Sequence, residues 1–254
     1  MILPRQQKEG FVEMIVSYSG GKNSTAMLIM MKEQNIPIEA IVFADTGAEL
    51  PETYDFILRV EERMKQKIDI VRHPSNFFDW FYRPFIRGNH EGEIHGFPRM
   101  FLFRGHGGGW CTRSLKIDPL AKYAQGRTMA VGMAADEYHR TFGSTKRFPK
   151  VYPLCEWAMT SLDCYNLCVE HDLLNPIYHR FGRSGCWTCP NQSIRTLRVL
   201  YAGYPDLWQR LLQMERDSPF CFRSDFKLSD LNARFLIELG TRQPLLTHGG
   251  TSHG

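Results

Sequence analysis

No run of apolar residues in this chain approaches the ~18 needed to cross a bilayer as a helix. The longest near the start spans Ala26 to Met31. The opening MILPRQQKEG also lacks the apolar core of a secretory signal. These absences predict a cytoplasmic chain with no membrane partner. In that compartment thiols stay reduced, so the seven cysteines are not expected to form a disulfide framework. No internal repeat or low-complexity linker interrupts the sequence. Neither sign of charge dominates: 31 Lys and Arg against 27 Asp and Glu leave a formal net charge of +4. That balance permits a phosphate-rich partner without demanding one.

What is present is ordinary globular composition, 43% hydrophobic and 23% charged over 254 residues. It suits one α/β domain, or one domain with a helical appendage. Phe11 to Ser19 is apolar and β-rich and stops at Gly20-Gly21; a helix is expected from Ser24 to Gln34. IEAIVFADTG reads as a second buried strand ending at Asp45, and ELPETYDFILRVEERMKQ as a helix opened by proline and acidic residues. KIDIVRHP gives a third strand. This alternation argues for a parallel sheet covered by helices. Residues 76–110, with NFFDWFYRPF and GHGGGW, are less regular. Thr128 to Glu137 reads as a fourth buried strand ending in an acidic loop. Helices are expected at Thr160–His171, Ser193–Tyr201, Pro205–Arg216 and Ser229–Leu239, and a disordered tail at THGGTSHG.

Several groups carry candidate chemistry. A strand, then Ser19-Gly20-Gly21-Lys22-Asn23-Ser24-Thr25, then a helix offers close backbone approach, free N–H groups and a positive dipole end to an anion. The plainer reading is a tight strand-to-helix turn, and the spacing is not that of a Walker A loop. Arg113 and Lys116, three apart after Cys111, would share one face of a helical turn and could steady developing phosphoryl charge, or be a surface basic pair. Asp45, Asp136 and Glu137 are hard-oxygen candidates for Mg²⁺; a solvated loop pair is the alternative for the last two. Cys186-Trp-Thr-Cys189 reads as a metal site. Cys164 and Cys168, four apart on a helix, read better as small core hydrophobes. His90, His95 and His106 read as loop residues. Phe77, Phe78, Trp80, Phe81 and Tyr82 either stack on a base or partner or bury the insertion's own core.

Six blocks together carry a resemblance. SYSGGKNST resembles the SGGxDS pyrophosphate loop of the adenine-nucleotide α-hydrolase superfamily. FADTGAELPET, WCTRSLKIDP, GMAADE, YPLCEW and NPIYHRFGRSGCWTCP resemble, in order, segments of the phosphoadenylyl-sulfate (PAPS) reductase family of PP-loop ATP pyrophosphatases. The resemblance implies an adenine nucleotide alpha-hydrolase-like (HUP/Rossmann-like) α/β fold: a twisted, mainly parallel sheet with helices on both faces in residues 1–190, and a C-terminal helical extension in 191–254. It implies that ATP lies across the strand ends, with its phosphates on Ser19, Gly20, Gly21, Lys22, Asn23 and Ser24. Tyr18, Phe43 and Ala44 would then lie near the adenine, Gly132 near the ribose, and Asp136 and Glu137 near the nucleotide. Lys22, Asp45, Arg113 and Lys116 are the implied catalytic groups. Asn23 stands where the family carries Asp, which removes a charge from the loop.

The resemblance also sets Cys111 opposite Cys186 and Cys189 as ligands of a [4Fe–4S] cluster, with zinc as the alternative. Reductases that carry a cluster have a Cys-Cys pair where this chain has Trp110-Cys111, so three ligands match. Cys221 or Cys155 would complete the shell, or one iron would stay open. No cysteine follows Cys221, whereas the reductases use a nucleophilic cysteine in a C-terminal tail. The expectation is therefore an ATP pyrophosphatase that adenylates an oxygen for sulfur insertion. Within the family the likeness is to enzymes of DNA phosphorothioation, whose partners are a nucleic-acid substrate and a cysteine desulfurase. tRNA thiolation, sulfonucleotide metabolism and a non-catalytic nucleotide-sensing subunit are the alternatives.

Overall fold

Met14–Tyr18 (β1), Ile38–Asp45 (β2), Ile68–Arg72 (β3), Met129–Val131 (β4) and Lys150–Val151 (β5) form one sheet, ordered β3-β2-β1-β4-β5, with every neighbouring pair parallel. The computed structural model describes residues 13–98, 109–142 and 147–240. Side chains alternate along the strands. Val16, Ile41, Phe43 and Ala130 enter one core cluster, while Ile15, Val42, Ala44 and Met129 enter another. The first cluster is closed by Lys22–Glu33 (α1) and Pro51–Met64 (α2). The second is closed by helix residues Leu120 and Ala124. A parallel sheet buried on both faces needs near-continuous apolar strands, and β2 reads IEAIVFAD.

Beyond β3 come Phe77–Phe81 (α3), Trp110–Thr112 (α4), a π-helical turn at Arg113–Ile117, and Asp118–Ala124 (α5), which bears Leu120 and Ala124. Pro153–Glu156 (α6) and Ser161–Glu170 (α7) follow β5, and α7 packs on α1. A third core joins the aromatic insertion to the C-terminal helices Ile194–Gly203 (α8), Pro205–Asp217 (α9) and Leu228–Gly240 (α10). Phe77, Phe81, Leu115, Trp187, Trp208 and Phe235 all belong to it. The aromatic insertion thus buries its own core, with Asn76 and Asp79 capping α3 reciprocally. Among the described residues no helix is long and apolar enough to cross a membrane.

The expected fourth strand is shorter than its apolar pattern. β4 ends at Val131, and Ala135–Thr141 is a 3₁₀ helix. The reason lies at Gly132, where a Cβ would come within 2.8 Å of the Ser24 backbone. The chain end is pressed against the first turn of α1 and turns aside, with Met133 N–H donating to Val131 O at 2.8 Å. The expected start of β1 at Phe11 and the tail THGGTSHG lie outside the described residues. The chain runs β1, β2, β3 to one side, then returns to place β4 and β5 on the other side of β1. The crevice at the ends of β1 and β4 is therefore a topological switch point, where open α/β sheets take their ligands.

Candidate functional site

The loop after β1 sits in that crevice. Gly20 has φ +70, a conformation that favours glycine, and a Cβ there would meet Thr53 Cγ2 at 2.9 Å. Asn175, almost fully buried, donates to Gly20 O at 2.8 Å and fixes the turn from across the chain. Ser19 and Ser24 hydroxyls lie 3.0 Å apart, and Ser24 also accepts from Ser19 N–H at 3.2 Å. The first N–H groups of α1 have no partner within the helix. That of Lys22 donates to the Tyr178 hydroxyl at 3.1 Å, and this hydroxyl donates onward to Ser184 Oγ at 3.1 Å.

Lys22 Nζ donates to Asn23 Oδ1 at 2.7 Å and to Ser161 O, at the start of α7, at 2.8 Å. Asn23 Nδ2 donates to Glu137 Oε2 at 3.0 Å, and Glu137 pairs with Arg140 through its other oxygen. The amide at position 23 therefore accepts from a lysine and donates to a carboxylate at once. An aspartate there would face Glu137 with like charge, which accounts physically for the departure from the expected motif.

The other expected nucleotide residues divide. Tyr18 and Phe43 are 2% exposed and their side chains belong to the core below α1. The Tyr18 hydroxyl bonds to Thr25 Oγ1 at 3.1 Å, and burial raises its pKa well above the usual tyrosine range. What Tyr18, Phe43 and the nearly buried Ala44 present at the strand ends is main chain. Asp45 has both oxygens engaged: Oδ1 accepts from Gly47 N–H and Tyr54 OH, each at 2.8 Å, and Oδ2 from Arg72 at 2.8 Å. It stabilises the turn after β2. Asp136 accepts from Ser161 N–H at 2.9 Å. Of these carboxylates, Glu137 is the one tied to the loop after β1, with one oxygen accepting from Asn23 and the other paired with Arg140.

Arg113 and Lys116 do not share a face. The intervening turn is π-helical, with a longer repeat than the α-helix behind the spacing. Arg113 is exposed, whereas the half-buried Lys116 pairs with Glu49 at 3.3 Å. Glu49 is the residue that sequence reasoning missed. Its side chain is 4% exposed and accepts from Lys116, from Thr46 at 3.2 Å and from the Cys186 thiol at 3.1 Å. Burial, then the Glu49 charge, hold Cys186 as a thiol, well above the usual cysteine range. The Cys186 sulfur and the Glu49 carboxylate in turn raise the Lys116 pKa, and the carboxylate, being the charged neighbour, keeps it an ammonium. Glu49 lay within the quoted FADTGAELPET, and Asn175, Tyr178 and Ser184 within NPIYHRFGRSGCWTCP; nothing in their spacing marked them out.

Cys111, Cys186 and Cys189 share one neighbourhood. Burial is the largest cause of the raised Cys111 pKa and the neighbouring Cys189 sulfur the next, and Cys111 and Cys186 border the same core. Two buried hydrogen-bond donors, Trp110 Nε1 and Thr188 Oγ1, each one residue from one of these thiols, have no partner among the described residues. Soft thiols with orphaned donors beside them fit a sulfur-rich cluster in kind. As spaced, they do not close on an ion: among the described residues no group of three or more His, Cys, Asp or Glu could hold one. Cys221 is exposed and shares none of these contacts. Cys155 donates to Met133 O at 3.2 Å, away from the three. His90 pairs with Glu93 and His95 bonds to Arg83 O, as loop residues do; His106 lies outside the described residues.

Comparison with known proteins follows from this geometry. The model of the phosphoadenosine phosphosulfate reductase domain family matches residues 13–192. An uncharacterised protein of Methanocaldococcus jannaschii is 24% identical over 213 residues, covering 78% of this chain and 47% of its own. The chain thus spans about half the length of that curated relative. The adenosine 5'-phosphosulfate reductase of Deinococcus radiodurans is 27% identical over 189 residues, 66% of each chain. Among solved structures, the PAPS reductase of Candida auris in a phosphate complex is similar with a TM-score of 0.46 and 14% identity, covering 70% of this chain and 82% of the other.

Cys164 and Cys168 are fully buried, and burial pushes their thiols up to about 11 and about 12. Below those values the thiol form dominates, so at pH 8 about a thousandth or less is thiolate. Iodoacetamide at pH 8 is expected to alkylate exposed Cys221 quickly and to spare Cys164 and Cys168 until the chain is unfolded, as read by peptide mass spectrometry. Equal rates at all three would contradict the burial described here.

Proposed function

The chain belongs to the phosphoadenosine phosphosulfate reductase domain family, and from that premise we propose that it is an ATP pyrophosphatase that adenylates a substrate oxygen so that sulfur can replace it. The observation that carries this reading is the Ser19–Ser24 loop, two glycines and the start of α1 at the switch point of a parallel sheet. ATP rests its β- and γ-phosphates on Ser19, Gly20, Gly21, Asn23 and Ser24. Lys22, now bonded to Ser161 O, has the length and charge to turn onto them. The adenine lies against the main chain of Tyr18, Phe43 and Ala44, and the ribose beside Gly132. The substrate oxygen attacks the α-phosphorus, the bond to the bridging oxygen breaks, and pyrophosphate leaves. Arg113, which is exposed, and Lys116 are the cations offered to the developing charge.

Mg²⁺ would be held at Glu137, with Asp136 beside it, and would neutralise phosphate charge. Cys111, Cys186 and Cys189 would hold a [4Fe–4S] cluster, or zinc in its place; such a cluster supplies a soft metal for sulfur. Adenylation makes oxygen a leaving group, and a cysteine desulfurase is the sulfur donor we assign. The acceptor we favour is an oxygen of the DNA backbone, ahead of tRNA; the net charge of +4 suits either. The likeness to an adenosine 5'-phosphosulfate reductase favours a second reading, in which a sulfonucleotide takes the place of ATP.

A Cβ on Gly21 would stand 2.5 Å from Ser184 Oγ. Replacing Gly21 by Val should therefore abolish ATP binding in a calorimetric titration while circular dichroism keeps the native spectrum; unchanged affinity would sink the loop assignment. Protein purified without oxygen should absorb broadly near ~400 nm and lose that band in Cys186→Ala. Stoichiometric zinc without iron would replace the cluster by a zinc site. Deleting the gene should remove phosphorothioate dinucleotides from digested host DNA. Loss of tRNA thionucleosides instead would move the acceptor to tRNA.

A further inference from the structure

Two hydroxyls from late in the chain stand over the phosphate loop. Around the point to which a Cβ of Gly21 would project, Ser184 Oγ lies at 2.5 Å, and Ser19 Oγ and Tyr178 OH at 3.4 Å each. Three hydroxyls, from segments that lie 156 residues apart between Lys22 and Tyr178, thus surround one glycine beside the start of α1. Tyr178 and Ser184 are bonded to each other, and Tyr178 and Ser19 to the loop. Tyr178 accepts from Lys22 N–H at 3.1 Å and donates to Ser184 at 3.1 Å, while Ser19 bonds to Ser24 at 3.0 Å. Packing alone would be served by apolar groups; hydroxyls gathered at a helix N-terminus, one of them accepting from its Lys22 N–H, suit an anion.

We propose that Tyr178 and Ser184 are ligands of the nucleotide's terminal phosphates, completing from the 178–184 segment the cradle that Ser19, Ser24 and the α1 amides begin. This rests on the nucleotide reading above. A phosphoryl oxygen taking the place of the tyrosine hydroxyl on Lys22 N–H leaves Tyr178 O–H to donate to the phosphate. Ser184, released from Tyr178, donates likewise. Both groups are neutral, so they add hydrogen bonds to the charge that Lys22 supplies. Ser184 also lies two residues before Cys186, so the segment that grips phosphate continues directly into the thiol loop.

Calorimetric titration of the full chain with inorganic pyrophosphate and with ATP tests this, using wild type, Tyr178→Phe and Ser184→Ala. Each variant is expected to bind both ligands about 10–100-fold more weakly, as for loss of a hydrogen bond to a charged group. Their thermal unfolding midpoints should match wild type. Variants that bind both ligands as well as a binding-competent wild type overturn this assignment and leave the nucleotide reading standing. Weakened binding that comes only with a lowered midpoint overturns it too, in favour of a structural role. A wild type that binds neither ligand overturns both.

Discussion

Four segments meet at the start of α1, and they can do so only because three positions there carry no side chain. Gly20 lies against Thr53 of α2, Gly21 against Ser184, and Gly132 against the backbone of Ser24. A Cβ at any of the three would fall within 3.0 Å of a neighbour. Two of those neighbours are side chains and one is main chain, so Gly132 tolerates least. Through these contacts the end of β1, the end of β4, α2 and the 178–184 segment are held around one point. The N-terminus of α1 is aimed there, and the groups assigned to phosphate follow from that aim.

A second constraint lies behind the loop. Glu49 is a carboxylate taken out of water, and such a charge is costly unless paired and hydrogen-bonded. Lys116, Thr46 and Cys186 meet that need. The pairing draws together the turn after β2, the π-helical turn and the cysteine loop, which lie far apart in sequence. It also engages Lys116, while Arg113 stays exposed. The cysteine loop is thus tied to the turn after β2 through Glu49, and to the loop after β1 through the Tyr178–Ser184 segment that precedes it.

Much of the sheet was legible because buried parallel strands are written as continuous apolar runs; β1, β2 and β3 and the helices between them follow that rule. The C-terminal helices were equally plain, each ending within two residues or so of its apolar pattern. β4 was overread because Gly132, not hydropathy, ends it, and β5, two residues long, has no pattern to read. The glycine turn between β1 and α1 was legible as a local motif. Glu49, Tyr178 and Ser184 were not, because each owes its place to a partner more than 100 residues away or to a buried charge, neither of which leaves a period in the sequence. The spacing of Arg113 and Lys116 misled for a related reason: it assumes an α-helical turn where the backbone forms a π turn.

The central claim is attack at the α-phosphorus of ATP, and product identity tests it most directly. Incubating the chain with ATP labelled at the α-phosphate, Mg²⁺ and candidate nucleic acids should yield pyrophosphate, with the label in AMP or in an adenylated acceptor. The two products should appear in equal amounts. ADP and inorganic phosphate in their place would mean attack at the γ-phosphorus and would contradict the account.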